Sequence, residues 1–129
     1  MVESRRRIFS GAPWESLAGY ARAVVSGDFI FVAGTIGRDP VTGDLPETVT
    51  DQCANALKVI EHALTDAGGT FADVVRVTYY VADRKDFEPC WPLLRATFGD
   101  YPPASTVIVA GLLDAAMRIE IEVTAHCAR

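Results

Sequence analysis

Basic residues are few in this sequence, and their shortage argues against one broad class of partner. Twelve Lys and Arg oppose 17 Asp and Glu among 129 residues, which gives a formal net charge of -5. Binding to nucleic acid through an overall field needs clustered cations that neutralise phosphates. The one basic run, Arg5-Arg6-Arg7, is interpreted as a solvated arm. We therefore do not expect nucleic acid to be the main partner.

Cysteine and histidine are also scarce. Cys53, Cys90 and Cys127 are odd in number and lack any Cys-x-x-Cys spacing, so reduced and mostly buried thiols are expected. His62 lies among acidic residues and His126 is nearly terminal. Neither histidine has the clustered partners that a metal site requires. The sequence predicts no bound metal.

Long apolar runs and nucleotide-binding motifs are absent. No run of 18 or more apolar residues and no N-terminal apolar segment typical of export occurs, so the cytoplasm is the expected location and no membrane contact is predicted. The segment Gly34-Thr35-Ile36-Gly37 lacks the glycine spacings of nucleotide-binding loops. The Gly-x-Ser-x-Gly elbow of serine hydrolases is missing too. Neither nucleotide binding nor a serine nucleophile has specific support.

Apolar residues, in contrast, make up half of the chain. The mean hydropathy of +0.17 is high for a small soluble monomer, whose surface is large relative to its volume. Self-association into a closed symmetric oligomer is the simplest explanation. The length suits a single domain spanning residues 1–129.

The first half of the chain predicts a hairpin and a helix. Two β-prone runs between residues 21 and 33 flank Ser26-Gly27-Asp28, a good hairpin signal. Residues 34–44 are dense in Gly, Pro and Asp, which predicts an ordered surface loop. Apolar residues at steps of three and four then predict a helix from about Val49 to Ala67, ended by Gly68-Gly69.

The second half returns to strands. Residues 74–81 predict a strand inside the sheet, with Val75, Val77, Tyr79 and Val81 on one face. A helix is expected from about Phe87 to Phe98, with an opening distorted by Pro89 and Pro92. Residues 106–110 and 117–125 predict a closing hairpin. The order hairpin, helix, strand, helix, hairpin predicts an α+β fold with two helices packed on one face of a mixed sheet.

Short motifs along nearly the whole chain resemble the RidA family, also called YjgF or endoribonuclease L-PSP. They are Gly19-Tyr20, Val32-Ala33-Gly34-Thr35-Ile36, Asp83 to Phe87, Pro103-Ala104 and Ile119-Glu120-Ile121-Glu122. The resemblance implies a chorismate-mutase-like fold, assembled as a homotrimer with three ligand clefts at subunit interfaces. It also implies hydrolysis of reactive enamines and imines to ketoacids and ammonia, without a metal or organic cofactor.

The family's site residues carry over with one clear departure. The family signature has an arginine that grips the substrate carboxylate, and Ser105 stands there in this chain. A hydroxyl cannot imitate the planar fork of donors of a guanidinium. Val107 and Trp91 also occupy positions where many members carry a different residue type. The cleft is therefore expected to take a different ligand.

Glu120 and Tyr20 match the family's glutamate and its N-terminal tyrosine. The resemblance implies that Glu120 orients or deprotonates water. Strand alternation alone would make both Glu120 and Glu122 surface residues, and we interpret Glu122 as a surface residue.

The remaining candidates for substrate binding each have a structural alternative. Ser105 and Thr106 offer hydroxyls, and Gly34 allows a close approach of the backbone. Turn and strand-end roles explain Tyr20 and Ser105 equally well, and are the favoured interpretation of Thr106 and Gly34. Arg22 is the best substitute anion anchor, although a solvated arginine is the interpretation we favour. Trp91 narrows any nearby cleft, and core or interface packing is its usual role.

Three functions remain open at this point. The first is a divergent enamine or imine deaminase with a small nitrogenous substrate. The second is a non-catalytic module of the same fold that binds a metabolite or regulates a partner, an interpretation that the missing arginine favours. The family's ribonuclease label is the third, and the acidic charge balance argues against it.

Overall fold

The computed structural model describes residues 5–128, and its framework is one six-stranded sheet. The strands are β1 (Arg6–Ile8), β2 (Ala23–Ser26), β3 (Phe29–Ile36), β4 (Val74–Val81), β5 (Ala104–Val109) and β6 (Ile119–His126), and the helices are α1 (Pro13–Ala18), α2 (Val49–Asp66) and α3 (Trp91–Phe98). The strand order is β1-β2-β3-β6-β4-β5. Only the β4–β5 pair is parallel. This α+β architecture with a mixed sheet confirms the predicted fold class.

The first hairpin forms where the sequence predicts it. Ser26 pairs with Phe29 across the turn, and Gly27 takes a φ of 59°, a left-handed conformation that costs glycine little. β3 continues to Ile36, so the predicted loop begins later than expected. The two N-terminal elements β1 and α1 were not predicted, and Arg6 and Arg7 lie in β1 rather than in a free arm.

Helix α2 confirms the predicted periodicity. The Thr48 side chain accepts a hydrogen bond from the Asp51 amide at its start, as an N-cap should. The buried face is made of Val49, Gln52, Cys53, Ala56, Leu57, Ile60, Ala63 and Leu64. These side chains pack against the buried residues of β3, β4 and β6 and form the core.

The opening of the second long helix is distorted, as predicted. Two 3₁₀ turns, Arg84–Asp86 and Glu88–Cys90, precede α3, and Pro92 then lies in the first turn, where no amide donor is needed. Cys90 in the second turn and Cys53 of α2 are both free and fully buried. Their thiols lie in hydrogen-bond contact, which raises the pKa of Cys53.

The prediction that the last two strands form a hairpin is wrong. β4 lies between β5 and β6: the Ala110 amide bonds to the Val81 carbonyl, and the Ala82 amide bonds to the Arg118 carbonyl. The physical reason is burial. All six residues of β5 are exposed, whereas β6 alternates buried and half-buried residues, so β6 takes the middle of the sheet and β5 the edge.

Val75 does not share the buried face of β4. The pairing of β4 with β6 shifts between Val74 and Arg76, and a bulge of this kind turns the following side chains over. Val75 is consequently 48% exposed, while Val77, Tyr79 and Val81 remain buried as predicted.

The two faces of the sheet differ in cover. α2 and α3 lie on one face, over buried residues such as Ile30, Val77 and Ile121. We call the other side the open face; it presents Phe29, Phe31, Thr78, Tyr80, Thr106, Ile108, Glu120 and Glu122, all exposed or half-buried. Within residues 5–128, no helix is long and apolar enough to cross a membrane.

Candidate functional site

Glu120 lies on the open face, directly against Gly34. β6 places Ile119 and Ile121 in the core and turns Glu120 outward. The ladder between β3 and β6 shifts between Val32 and Thr35, and Gly34 lies within this irregularity. A Cβ atom on Gly34 would come 2.2 Å from Oε2 of Glu120. The absence of a side chain at Gly34 is therefore what makes room for this carboxylate.

A buried arginine, Arg22, bonds to Gly34 and to its neighbour Thr35. Arg22 is only 7% exposed and forms an ion pair with Glu15, with Nε 3.3 Å from Oε2. Its Nη1 donates to the Gly34 carbonyl at 3.0 Å and to the Thr35 hydroxyl at 2.9 Å. The sequence interpretation of Arg22 as a solvated residue is thus wrong. Because most of its donors are used internally, Arg22 is poorly placed to serve as a free anion anchor.

The same arginine orients Tyr20. Nη2 of Arg22 donates to the Tyr20 hydroxyl oxygen at 3.3 Å, and the guanidinium carbon lies 5.4 Å from the centre of the tyrosine ring. Since the oxygen accepts this bond, the hydroxyl proton is left to be donated elsewhere. Tyr20 is half-buried, so that proton is available to a ligand.

Glu15 anchors this network at the start of the chain. It is 3% exposed and accepts hydrogen bonds from the Ser10 amide at 2.9 Å and from the Ser10 hydroxyl at 2.5 Å. Burial by itself would raise the pKa of Glu15, but the bonds from Ser10 and Arg22 outweigh burial and lower it. The ion pair therefore stays charged at neutral pH.

The two carboxylates of β6 have different surroundings. The Tyr80 hydroxyl donates to Oε1 of Glu122 at 2.7 Å, and this bond raises the pKa of Tyr80. No group in residues 5–128 donates a hydrogen bond to the Glu120 carboxylate. Burial, and then the charge of Glu122, raise the pKa of Glu120, with Arg22 opposing them. An unpaired carboxylate with a raised pKa suits proton transfer.

Ser105 and Trp91 lie on the other side of the sheet. Ser105 pairs with Val77 of β4, so its side chain faces the helix side of the sheet. Ser105 is nevertheless exposed. It lines a groove of about 340 Å³ together with Trp91, Pro102 and Pro103. The groove's remaining lining residues are Val77, Tyr79, Phe87, Leu94, Arg95, Phe98 and Gly99. Trp91 is 48% exposed, so this chain alone does not bury it in a core.

The predicted site residues therefore fall into two groups. We call Tyr20, Arg22, Gly34 and Glu120 the carboxylate site, and the cavity that contains Ser105 and Trp91 the aromatic groove. Thr106 belongs to neither, because it pairs with Thr78 on the open face. Within a single chain, the carboxylate site and the aromatic groove lie on opposite faces of the sheet.

Sequence reasoning missed Glu15, Thr35 and Arg95. Glu15 and Arg22 are seven residues apart and belong to different local structures, so no periodic pattern links them. The sequence holds no signal that selects Arg22, since Arg7 is almost as close to Glu15 along the chain. Arg95 gave no signal beyond its place in the last turn of a predicted helix.

Comparisons with known proteins agree with this architecture. The model of the family described as Endoribonuclease L-PSP matches residues 10–127. The human 2-iminobutanoate/2-iminopropanoate deaminase is 34% identical over 122 residues, covering 93% of this chain and 89% of that protein. A RutC family protein of Pyrococcus horikoshii is 32% identical over 120 residues, covering 92% and 95%.

Solved structures extend the likeness to three dimensions. The crystal structure of Rv2704 from Mycobacterium tuberculosis, described as a YjgF family member, has a TM-score of 0.87 and 35% identity, covering 95% of this chain and 99% of that one. A protein from Entamoeba histolytica, described as an endoribonuclease L-PSP, gives 0.86 and 27%, covering 95% and 99%. The fold and the matched residues thus define a YjgF-like α+β protein. This chain belongs to the Endoribonuclease L-PSP family, the group also known as RidA.

Proposed function

We propose that this protein is a divergent deaminase, which hydrolyses a small enamine or imine to a carbonyl compound and ammonia. The observation that carries the proposal is the half-buried, unpaired carboxylate of Glu120, close enough to Arg22 to feel its charge, while Arg22 bonds to Tyr20 and leaves the tyrosine hydroxyl proton free to be donated. The human relative, whose name is 2-iminobutanoate/2-iminopropanoate deaminase, supports the same reaction class.

The reaction balances with the groups at hand. Glu120 takes a proton from water as the water oxygen bonds to the imine carbon, and the nitrogen gains a proton from Tyr20 or from the protonated Glu120. Glu120 then moves the hydroxyl proton of the resulting carbinolamine to the nitrogen, and Tyr20, where it has donated, regains its proton from Glu120. The C–N bond breaks, its electron pair leaves with ammonia, and the electrons of the former O–H bond complete the carbonyl. No electron is gained or lost, and no metal or organic cofactor is needed for this sequence.

We propose that the reaction takes place between subunits of a homotrimer. Three apolar side chains of the open face, Phe29, Phe31 and Ile108, are 41–47% exposed, which favours cover by another copy. Because the carboxylate site and the aromatic groove lie on opposite faces of one chain, a second copy is also needed to bring them together around one ligand. Both observations support a cleft built from two chains.

A non-catalytic role is the second candidate, and Ser105 is the observation that favours it. Bonds to charged groups contribute on the order of 1.5 to 3 kcal/mol each, so a serine in place of the arginine weakens binding of a carboxylate at that position by about one order of magnitude or more. In this case the protein would hold a metabolite in the same cleft without turnover.

Ammonia release separates the two candidates. We would assay a panel of imines and enamines, including 2-iminopropanoate generated in place by an amino-acid oxidase. Glu120→Gln should lower turnover by about 100-fold or more, as expected for loss of a general base. Glu122→Gln is the matched control and should stay within a few-fold of wild type. Full activity in Glu120→Gln would refute the proposed mechanism, and a wild type inactive on the whole panel would favour the binding module.

A further inference from the structure

The aromatic groove holds a single charged side chain, which the deaminase proposal does not use. Its walls are apolar or aromatic, and Phe87 meets Trp91 edge to face with ring centres 6.5 Å apart. Arg95 of α3 is the one charged residue in the lining, and no Asp or Glu contributes to it. In a chain of net charge -5, a groove of this composition is locally selective for anions.

The charged group of Arg95 has no bonded partner in the described part of the chain. Within residues 5–128, its guanidinium forms no ion pair and no hydrogen bond. Its Cγ lies 3.7 Å from the place where a Cβ on Gly99 would stand, and both residues line the groove. This differs from Arg22, which is buried and bonded to Glu15, Gly34, Thr35 and Tyr20.

We propose that Arg95 is the anion anchor of this protein, and that the aromatic groove binds a carboxylate carrying an aromatic or bulky apolar group. Arg95 lines the groove from α3, and Ser105 lines it from β5. Between them, the small Ser105 side chain leaves space for a ring to lie against Trp91. The Ser105 hydroxyl adds one hydrogen bond that orients the ligand.

The two parts of such a ligand are recognised by different physics. A guanidinium matches a carboxylate through two parallel N–H bonds. A phenyl group gains from leaving water and from edge or stacked contacts with aromatic rings. Neither part alone fills a volume of about 340 Å³. A small ketoacid would leave the aromatic walls in contact with water, and a neutral hydrocarbon would leave the Arg95 guanidinium without an anionic partner.

This inference deepens the proposed function, since it names the class of substrate, and it rests on that proposal for the pairing of the groove with Glu120. The binding part can be tested without turnover. Suitable probes are 3-phenylpropanoate, its neutral analogue 3-phenylpropanamide, and propanoate, which keeps the charge and lacks the ring. Titration calorimetry gives the affinities, and Trp91 fluorescence in a Trp14→Phe background locates the binding.

Wild type should bind 3-phenylpropanoate about tenfold or more tightly than either other probe. Arg95→Gln should lower the affinity for 3-phenylpropanoate by about tenfold and leave the affinity for 3-phenylpropanamide unchanged. Arg84→Gln removes an exposed arginine from the neighbouring 3₁₀ turn, outside the groove, and should change neither. Because Arg95 is exposed and unbonded, the variant should fold normally, and a thermal melt verifies this.

Several results would overturn the inference. They are equal affinity of wild type for the acid and the amide, an equal effect of Arg95→Gln and Arg84→Gln, and no binding of any probe up to about 10 mM. Tight binding of the acid without ammonia release from any imine would reject the deaminase proposal and leave the groove standing. Turnover that is insensitive to Arg95→Gln would reject the anchor alone.

Discussion

At the scale of single residues, Glu120 and Glu15 show two opposite environments for a carboxylate. Its carboxylate is partly buried, accepts no hydrogen bond from residues 5–128 and lies near the charge of Glu122. Such an arrangement disfavours the charged form. Glu15 is the opposite case, because Ser10 and Arg22 satisfy its carboxylate inside the protein. Of the two glutamates, Glu120 is the one whose pKa is raised, by burial and by the charge of Glu122.

The pH dependence of stability should reveal this difference. A carboxyl whose folded pKa is raised contributes stability below its unfolded pKa, near 4.5, and loses that contribution as the pH rises through the folded pKa. Glu120→Gln should therefore be more stable than wild type at pH 7, by less than about 1 kcal/mol because water screens a partly exposed charge. Below about pH 4 the gain should vanish. Urea unfolding at both pH values measures it, and a variant less stable than wild type at pH 7 would contradict the account.

At the scale of elements, the end of β3 serves two purposes within four residues. Gly34 makes room for the end of a flexible side chain, that of Glu120. Gly37 lies against the backbone of α2, where an added Cβ would come 2.2 Å from the Gln52 carbonyl oxygen. Gln52 itself is fully buried and bonds to the carbonyls of Pro46 and Ala116. Gly34 thus leaves space for the Glu120 carboxylate, and Gly37 leaves space for the backbone of α2.

Alanine at each glycine should separate these roles. Gly34→Ala should keep the fold and lose most of the imine turnover, because the Glu120 carboxylate must move away. Gly37→Ala should destabilise the protein by about 3 kcal/mol, as overpacking against backbone does. Denaturant midpoints and ammonia release, measured on both variants, decide the matter. A Gly34→Ala protein that unfolds as easily as Gly37→Ala would contradict the assignment.

At the scale of the whole molecule, the open face is the side of the sheet that α2 and α3 do not cover. Apolar side chains of three strands reach it, Phe29 and Phe31 from β3, Ile108 from β5 and, through its ring, Tyr80 from β4. Leu113 is also apolar and is 99% exposed, but it lies in the loop between β5 and β6. We expect the apolar residues of the open face to contact another copy of the chain, and Leu113 to remain in solvent.

Solution mass should distinguish them. Wild type is expected at the mass of three chains, and Ile108→Lys at the mass of one, because a lysine on the open face would bury a charge at the contact. Leu113→Lys is the matched control and should remain trimeric. Light scattering after gel filtration makes the measurement. A wild type with the mass of one chain would remove the intersubunit cleft.

Local patterns predicted the elements well, and pairings over long distances were less accessible. The helical period of α2 and the turn at Gly27 are local, so the sequence reveals them. The insertion of β4 between β5 and β6 depends on comparing how much apolar surface each strand buries, which periodicity does not measure. The bulge at Val75 follows from pairing with β6. For the candidate site, Glu120, Tyr20 and Gly34 remain predictions, whereas the burial of Arg22 depended on Glu15, a partner in a helix that was not predicted.

The opposite placement of the carboxylate site and the aromatic groove also bears on how such a protein can change. Glu120 and Tyr20, which we propose handle the proton, lie next to the Arg22–Glu15 ion pair on one side of the sheet. Residues that would select the ligand, such as Ser105, Trp91 and Arg95, are supported by α3 and β5 on the other side. A substitution in the groove leaves the proton-handling network untouched. If the proposed roles hold, a few substitutions in the groove are expected to change the ligand without changing the proposed proton transfer.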